Sequence, residues 1–360
     1  MNFDSIYHVI GLMSGSSLDG LDVAYCQFKN TKGKWSFEIL EAETFVYTLS
    51  LQQKLTTLHL SSAKELMQQD AELAKLWAMM VKNFIRKNEI EKVDFIASHG
   101  HTIFHEPQNN FSTQIGNGAA IAALTGISTV CDFRSTDVAL GGQGAPLVPI
   151  GDLQLFHEFD ACLNLGGICN ITLKNENEIS AFDIAPCNQL LNFLAKELGK
   201  DFDENGNFAS NGKVNFDILQ QLNDLDFYKN KAAKSLSNQY SNALIEILQK
   251  ENSTENKLRT VVEHIAFQIS EVLNSSKNNA QKKCLVTGGG AFNSFLIETL
   301  QSKTDWQIII PDKKLIAFKE ALIFAFLGVL RWRNETNVLK KITAATKDSC
   351  SGAIYLAKNG

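Results

Sequence analysis

The chain lacks several features that would assign it to a particular class of protein. It has no dense cluster of lysine and arginine, and its 34 basic and 39 acidic residues give a net charge of −5. Nucleic acid and acidic membrane surfaces are therefore not expected as partners. The longest apolar run, residues 321–330, is too short to cross a bilayer. We expect a buried helix there and no membrane association.

Cysteine never occurs in a C-x-x-C pair. The seven cysteines are scattered and odd in number, which predicts free, buried thiols in a reducing compartment. The start of the sequence contains Asp4 and has neither a basic segment nor a long apolar core. No signal peptide is therefore expected. Together these observations predict a cytoplasmic protein.

The chain also lacks the Gly-Lys-Ser/Thr of a Walker A loop and the G-x-G-x-x-G spacing of a dinucleotide-binding turn. Instead, Gly-Leu-Met-Ser-Gly-Ser-Ser-Leu-Asp-Gly-Leu-Asp at 11–22 lies between two apolar runs. Glycines, hydroxyls and free N–H groups can hold phosphate oxygens. Asp19 and Asp22 can hold Mg²⁺ or its waters beside them. The alternative is an ordinary β-hairpin turn around Asp19-Gly20.

The length of 360 residues suits two domains, each with its own core. Hydrophobic patterns predict strands at 7–11, 21–28, 35–45, 93–98 and 128–131, and helices at 63–86 and 117–124. A similar order partly recurs, with strands at 161–165, 170–173, 179–182 and 283–286, and helices at 242–250, 258–274 and 293–300. Three antiparallel strands followed by alternating helices and strands predict an α/β protein with mixed sheets.

Glycine turns and one acid stand out in the second half. The pair Gly166-Gly167 lies between two apolar strands and forms either a second phosphate turn or a plain hairpin. The run 288–290 follows a buried strand and precedes a helix, a place suited to a flat ring and its phosphates. Asp183 ends an apolar strand, so it is a candidate general base or an acid favoured by a helix dipole.

Histidine and arginine cluster in the first half. His99, His101 and His105 are close enough in sequence to suggest a metal site, although Gly100 and Thr102 favour a loop that lines a cleft. Arg134 lies in a glycine-rich segment that ends in proline. Its fork predicts binding of a carboxylate or phosphate, with an interdomain ion pair as the alternative.

Taken together, these segments resemble the anhydro-N-acetylmuramic acid kinase family over nearly the whole chain and in the same order. The family pattern Gly-x-Met-Ser-Gly-Thr-Ser-x-Asp-Gly-x-Asp is present at 11–22, with Ser16 in place of threonine. Its Ser-His-Gly-Gln-Thr is similar to 98–102, with His101 in place of glutamine. Further matches are Gln114-Ile-Gly116, Asp132-Phe-Arg134 with Asp137, 141–149, 164–167, 288–290 with Asn293, and Lys319-Glu-Ala321. The long loop 132–149 is the most specific of these.

The resemblance implies a two-domain actin/hexokinase-like ATPase fold, in which α/β domains with mixed sheets flank an ATP cleft. It implies ATP and Mg²⁺ as cofactors and opening of the 1,6-anhydro ring of anhydro-N-acetylmuramic acid, with phosphorylation at O6, in peptidoglycan recycling. Asp183 is implied as the catalytic base, and Asp19 and Asp22 as metal ligands, directly or through water. The implied ATP-binding residues are Gly15, Ser16, Ser17, Leu18, Asp19, Gly20, Leu21, Asp22, Gly166, Gly167, Asn170, Gly288, Gly289, Gly290 and Asn293. The implied sugar-binding residues are Thr102, Gln114, Arg134, Asp137, Asn188 and Glu320.

The sequence departs from the family pattern around Asp183. Phe-Asp-Thr-Gly-Pro-Gly-Asn is here Phe-Asp-Ile-Ala-Pro-Cys-Asn at 182–188, and the later run at 231–237 is degraded. Close backbone approach at Ala185 and Cys187 is therefore in question. Two alternatives stay open: a kinase for another anhydro or free sugar, and a catalytically weak nucleotide-dependent sugar sensor. The expected domains are 1–140, completed by 341–360, and 141–340, and the family suggests a homodimer.

Overall fold

Contacts within the chain group it into two units, which we call unit 1 (residues 1–155 and 318–360) and unit 2 (residues 156–317). The computed structural model describes residues 5–15, 17–175, 178–229, 236, 240–276 and 282–357. Each unit contains one mixed β-sheet with helices, so the predicted α/β class is confirmed. The domain boundaries expected at 140/141 and 340/341 stay a prediction.

Unit 1 is built on a seven-stranded sheet. Its strands are β1 (Ser5–Ser14), β2 (Gly20–Thr31), β3 (Lys34–Val46), β4 (Phe95–Glu106), β5 (Phe111–Ile115), β6 (Thr129–Cys131) and β12 (Ala353–Tyr355). They lie in the order β12-β6-β4-β1-β2-β3, with β5 paired to β4. Strands β1 to β3 form an antiparallel meander, and β4 and β6 continue the sheet in parallel with β1.

Unit 2 has a five-stranded sheet with the same arrangement. Its strands are β7 (Ala161–Leu165), β8 (Ile168–Asn175), β9 (Glu178–Pro186), β10 (Lys283–Thr287) and β11 (Gln307–Ile309). They lie in the order β11-β10-β7-β8-β9, an antiparallel meander followed by two parallel strands. The recurrence predicted from the sequence is therefore confirmed at the level of strand order.

Fourteen α-helices surround the sheets in the described part of the chain. In unit 1 and at its boundary they are α1 (Leu49–Thr57), α2 (Ala63–Lys87), α3 (Gly118–Thr125), α4 (Ser135–Ala139), α5 (Val148–Leu155), α13 (Lys313–Trp332) and α14 (Lys340–Thr343). In unit 2 they are α6 (Asn188–Glu197), α7 (Asn207–Asn211), α8 (Phe216–Asn223), α9 (Asp226–Lys229), α10 (Tyr240–Leu248), α11 (Thr254–Ser275) and α12 (Ser294–Gln301). Residues 321–330 are all buried within α13, as predicted. None of the helices in the described ranges combines the length and apolarity needed to span a membrane.

Each unit has its own hydrophobic core. In unit 1, α2 packs Trp77 and Phe84 against the sheet, and both side chains are fully buried. In unit 2, the long helix α11 contributes Val261, Ile265 and Ile269 to the core. All seven cysteines are free thiols, and five of them are buried, which agrees with the sequence-based expectation.

The segment that follows Ser98 differs from the prediction. A loop was expected at Gly100 and Thr102, but β4 continues through both residues to Glu106 and pairs with β5. The prediction failed because Gly100 suggested a chain break. The glycine instead takes a φ of +82° inside the strand, and a Cβ atom there would lie 2.8 Å from the Gln114 Cβ. Glycine therefore permits the close approach of the two strands.

A buried ion pair joins α5 to α13 in unit 1. The Lys319 Nζ lies 2.7 Å from the Asp152 Oδ1, and the two side chains are 7% and 3% exposed. Burial of a charge is costly, and the opposite charge of the partner offsets part of that cost.

Replacement of one partner of this pair is expected to destabilise the protein strongly. Lys319→Met should lower the free energy of unfolding by about 3–5 kcal/mol because the buried Asp152 carboxylate loses the positive charge of Lys319. The double variant Lys319→Met/Asp152→Leu should recover most of that loss. The control Lys54→Met breaks the exposed pair with Glu72 and should cost at most about 1 kcal/mol. Urea unfolding measures all three variants, and a Lys319→Met cost no larger than that of Lys54→Met would contradict the argument.

Candidate active site

The first glycine loop connects β1 to β2 in unit 1. The Leu18 N–H donates to the Gly15 carbonyl at 3.3 Å, and Leu18 has a φ of +60°. Gly20 begins β2 so close to β3 that a Cβ atom would lie 2.4 Å from the Phe45 carbonyl oxygen. The loop thus connects two antiparallel strands as a β-hairpin, which is compatible with either of the sequence-based interpretations. Ser17 and Asp19 are exposed to solvent. Ser16 lies outside the described residues.

The two aspartates of the loop differ in their surroundings. Asp19 is exposed, whereas Asp22 lies on β2 and accepts a hydrogen bond from the Thr44 hydroxyl at 2.5 Å. Burial raises the pKa of Asp22, with the Thr44 bond acting against the shift and the Asp19 charge adding to it. Leu21 between them is fully buried in the core of unit 1, and its contact with ATP stays a prediction. The described residues contain no ready-made group of three metal ligands.

A chain of buried hydrogen bonds supports the start of this loop. The Trp77 Nε1–H donates to the Tyr47 hydroxyl at 3.0 Å, and that hydroxyl donates to the Ser14 Oγ at 2.9 Å. The Ser14 Oγ lies 3.0 Å from the His101 Nδ1. The Ser14 Oγ accepts the Tyr47 proton, and its second hydrogen bond with the His101 Nδ1 can run in either direction. Burial lowers the pKa of His101, and a hydrogen bond to the Ser14 backbone acts against that shift.

A row of polar residues crosses the sheet of unit 2. Thr287 pairs with Asn164, Asn164 with Asn170, and Asn170 with Asp183, across the strands β10, β7, β8 and β9. Side chains at directly opposed positions share one face of a sheet. The predicted base Asp183 and the predicted phosphate-site residue Asn170 are therefore neighbours, and Asn164 and Thr287 extend their row. Asn164 begins the segment 164–167 that the family resemblance implies for phosphate binding, whereas Thr287 was not a predicted site residue although it directly precedes a glycine turn.

The glycine turns close around Asn164. At Gly288, which has a φ of +82°, a Cβ atom would lie 2.5 Å from the Asn164 Oδ1. At Gly166 it would lie 3.1 Å from the Asn164 Nδ2. The two turns predicted to bind ATP thus meet around one side chain. The carbonyls of Gly166 and Gly167 also accept the N–H groups of residues 187–189 at the start of α6.

Two asparagines predicted as ligand-binding residues have partners in the protein. The Asn188 Nδ2 donates to the Leu165 carbonyl at 2.9 Å, and its Oδ1 lies beside Gly290. The Asn293 Oδ1 accepts the Leu296 N–H at 3.0 Å and caps α12. Both side chains hold the turns in place, and their contact with a ligand stays a prediction.

Asp183 is partly buried, and its Oδ2 accepts the Leu236 N–H at 2.8 Å. The register between β8 and β9 shifts at this point, so that Ile184 is an extra residue in a β-bulge. Ile184, Ala185 and Cys187 are each at most 2% exposed and belong to the core of unit 2. The departures from the family pattern therefore place their side chains in the core. Of the degraded run 231–237, only Leu236 is among the described residues.

The predicted sugar-site residues of unit 1 fall into two groups. Thr102 and Gln114 are opposed on β4 and β5, and the Gln114 Nε2 donates to the Thr102 hydroxyl at 3.4 Å. Arg134 donates to His99 and to the Gly144 carbonyl, and no ion pair among the described residues includes it. Burial lowers the pKa of Arg134 to about 10, partly offset by the charge of Glu320.

Glu320 is accessible to solvent, yet protein atoms surround it closely enough for desolvation to raise its pKa. The negative charge of Asp22 adds to this rise, and the positive charges of Lys319 and Arg134 act against it. Asp137 is fully buried, and its oxygens accept the Gly144 N–H and the Thr343 hydroxyl at 2.8 and 2.7 Å. Its direct contact with a sugar stays a prediction, whereas its support of Gly144 is visible.

The three histidines have separate partners. His99 contacts Arg134, His101 contacts Ser14, and His105 contacts Ser112. Their sequence spacing suggested a shared metal, but their side chains serve three different hydrogen-bond networks. His99 is thus the hydrogen-bond partner of the predicted sugar-site residue Arg134, and this contact could not be seen from residues 35 positions apart in the sequence.

The sequence pattern of the family described as anhydro-N-acetylmuramic acid kinase matches residues 7–357. A relative of that name from Pasteurella multocida (strain Pm70) is 35% identical over 372 residues, 98% of this chain and 97% of its own length. Another from Francisella tularensis subsp. novicida (strain U112) is 33% identical over 374 residues, 96% of this chain and 98% of its own length. The chain belongs to the anhydro-N-acetylmuramic acid kinase family. The predicted family and the predicted enzyme class, a kinase, are confirmed.

Among solved structures, the chain is similar to the activator of the 2-hydroxyisocaproyl-CoA dehydratase from Clostridium difficile with bound ADPNP. The alignment covers 91% of this chain and 97% of that one, with 15% identity and a TM-score of 0.42. This similarity is too distant to bear on function.

Removal of the Tyr47 hydroxyl is expected to destabilise unit 1. Tyr47→Phe leaves the buried Trp77 Nε1–H without its acceptor, which should lower the free energy of unfolding by about 1–3 kcal/mol. The control is Tyr25→Phe, because the Tyr25 hydroxyl donates to the carbonyl of the exposed Lys92, which water can reach. Its cost should be smaller. If chemical denaturation shows equal losses of unfolding free energy for the two variants, the buried hydrogen bonds of Tyr47 contribute no more to stability than the hydrogen bond of Tyr25.

Proposed function

We propose that this protein is an ATP-dependent kinase that opens the 1,6-anhydro ring of 1,6-anhydro-N-acetylmuramic acid and phosphorylates O6. The products are N-acetylmuramic acid 6-phosphate and ADP, in a step of peptidoglycan recycling. Family membership over nearly the whole chain supports the proposal. The observation that carries it is the position of Asp183 on one polar row with Asn170 and Asn164, beside the glycine turns.

The reaction couples a hydrolysis to a phosphoryl transfer. In our proposal, the Asp183 carboxylate takes a proton from a water molecule as the water oxygen attacks the anomeric carbon. The bond from that carbon to O6 breaks, and O6 takes the γ-phosphoryl group of ATP, so no separate protein acid is needed. The water approaches from the face opposite the departing oxygen, as in an inverting glycosidase. Because the anhydro bridge is on the β face, the first product is the α anomer.

ATP-binding roles are proposed for glycine turns within each unit separately. In unit 1, the first loop, Gly15 to Asp22, would bind phosphates through backbone donors and polar side chains; in unit 2, Gly166, Gly167 and Asn170 would do the same. Gly288, Gly289 and Gly290, with Asn293, bind the adenosine. Gly289 is exposed and Gly288 is partly exposed, so the backbone of this turn can be reached there, which supports the assignment, whereas Gly290 and Asn293 are buried.

Asp19 and Asp22 fit a magnesium ion that accompanies ATP. The two carboxylates influence each other electrostatically, and burial adds to the cost of the Asp22 charge. A divalent cation relieves that cost, and oxygen donors suit Mg²⁺, which retains several waters. When bound, the ion would neutralise charge on the transferring phosphoryl group. Thr102, Gln114, Arg134, Asp137, Asn188 and Glu320 are proposed for the sugar site, Asp137 through its support of Gly144. We further propose a cytoplasmic homodimer.

Asp183→Asn is expected to abolish turnover while ATP affinity stays near normal. The amide oxygen still accepts the Leu236 N–H, but it cannot take the proton of water, so kcat should fall by about 10² or more. A coupled ADP-release assay with 1,6-anhydro-N-acetylmuramic acid measures kcat, and calorimetry measures ATP binding. The control Asp201→Asn changes an exposed acid of the same unit and should leave both unchanged.

A variant that keeps more than about a tenth of kcat would exclude Asp183 as the base. The wild-type reaction adds a second criterion, since NMR before mutarotation should detect the α anomer first. Turnover of glucose or N-acetylglucosamine in place of the anhydro sugar would favour another sugar kinase. ATP binding without sugar-stimulated ADP release would favour a sensor.

A further inference from the structure

We propose that His99 is a positioning residue that fixes the Arg134 guanidinium for recognition of a carboxylate on the sugar substrate. The inference rests on the proposed function, since it assigns a role within the proposed sugar site. His99 is on β4 of unit 1 and belongs neither to the glycine loops nor to the polar row of unit 2.

The tautomer of His99 follows from its two partners. The His99 Nδ1 lies 2.9 Å from the Gly100 carbonyl oxygen, which can only accept, so Nδ1 carries the proton. The Nε2 atom is then a lone-pair acceptor. It lies 2.8 Å from the Arg134 Nη2 and 3.3 Å from the Arg134 Nε, both of which can only donate. His99 is 4% exposed, and burial and the Arg134 charge hold its pKa well below the usual value.

The His99 ring is itself held in place. It packs against the Phe324 ring of α13 with 4.4 Å between centroids. Its backbone lies within β4, which is paired to neighbours on both sides. A rigid acceptor of this kind defines the plane and direction of the guanidinium that donates to it.

The opposite side of Arg134 is fixed by a loop. The Arg134 Nη1 donates to the Gly144 carbonyl oxygen at 2.6 Å. Gly144 in turn donates its N–H to the buried Asp137, and has a φ of +67° that a residue with a side chain rarely adopts. The guanidinium is therefore held from two sides by neutral acceptors.

The remaining donors match a carboxylate. Arginine has five N–H donors, and His99 and Gly144 account for the Nε–H, one Nη2–H and one Nη1–H. One N–H remains on each terminal nitrogen, a pair that suits the two oxygens of a carboxylate. The neutral partners leave the positive charge uncancelled, and the pKa of about 10 keeps Arg134 protonated at neutral pH.

Without His99, the Arg134 guanidinium could interact with the Glu320 carboxylate instead. Glu320 already interacts electrostatically with Arg134, although the two form no ion pair among the described residues. Loss of the His99 acceptor would free the guanidinium to turn towards that carboxylate. The chemical class that His99 helps to select is therefore an anhydro sugar with an ether-linked carboxylate, against the same sugar without it.

The test compares two sugars in three variants. The sugars are 1,6-anhydro-N-acetylmuramic acid and 1,6-anhydro-N-acetylglucosamine, which lacks the lactyl carboxylate. His99→Asn keeps a donor for the Gly100 carbonyl but is too short to reach Arg134. His99→Gln extends an amide oxygen towards Arg134, and His99→Phe keeps only the ring packing. KM and kcat are measured for both sugars, with an inhibition constant where turnover is too slow.

We expect His99→Asn and His99→Phe to raise KM for the carboxylate sugar by about tenfold to a hundredfold, the usual range for a lost hydrogen bond to a charged group. Their kcat, and the affinity for the sugar without carboxylate, should change little. His99→Gln should restore most of the lost affinity. If His99→Phe fails to fold, the contrast between Asn and Gln still tests the contact.

Equal weakening of both sugars would overturn the inference, because a merely structural role has no preference for the carboxylate. Unchanged affinity in His99→Asn would overturn it as well. A failure of the proposed function would be recognised by a different result, because the wild-type protein would then neither bind nor turn over either anhydro sugar. The inference about His99 would then fail as well.

Discussion

The pairing register of β7 to β10 is the constraint on which the candidate site in unit 2 depends. It places Thr287, Asn164, Asn170 and Asp183 on one face in a single row. A slip of one residue in any of these pairs would turn a polar side chain into the core and bring an apolar one out. The glycine turns make the register possible, because a Cβ atom at Gly288 would collide with Asn164. Backbone geometry and site chemistry are therefore fixed by the same contacts.

This constraint explains why changes beside Asp183 are compatible with the fold. The bulge at Ile184 lets Asp183 stay opposite Asn170 while the next residues turn inwards. Ala185 and Cys187 are fully buried, and burial raises the pKa of the Cys187 thiol to about 12, as expected of an unreactive core group. Their side chains add volume to the core, and the positions of the Asp183 and Asn170 backbones in the ladder are retained. The differences from the family pattern at Ile184, Ala185 and Cys187 therefore change the packing of the core next to the candidate site.

Much of the fold was predictable because local patterns decided it. The helix predicted at 63–86 appears as Ala63–Lys87, with a capping box at Ser62 and Glu65, and the meander strands lie where apolar alternation placed them. The continuation of β4 was missed because Gly100 suggests a break when read locally, and only its partner β5 explains it. The contact between His99 and Arg134 could not be predicted either, because it depends on how the segment before α4 packs against β4. Motif residues could be predicted, whereas the residues that position them required the tertiary structure.

The charged groups of unit 1 differ in the partners that surround them. Asp22 and Glu320 each have a raised pKa, caused first by burial and then by a neighbouring acid, so added negative charge there is unfavourable. Arg134 has partners that are neutral acceptors, which fix its direction without cancelling its charge. A cation therefore gains most beside the acids and an anion gains most at the arginine. In the proposed function, a metal-bound nucleotide and an anionic sugar make these two opposite demands. Unit 1 contains groups suited to both, namely Asp22 on β2, Glu320 on α13 and Arg134 directly before α4.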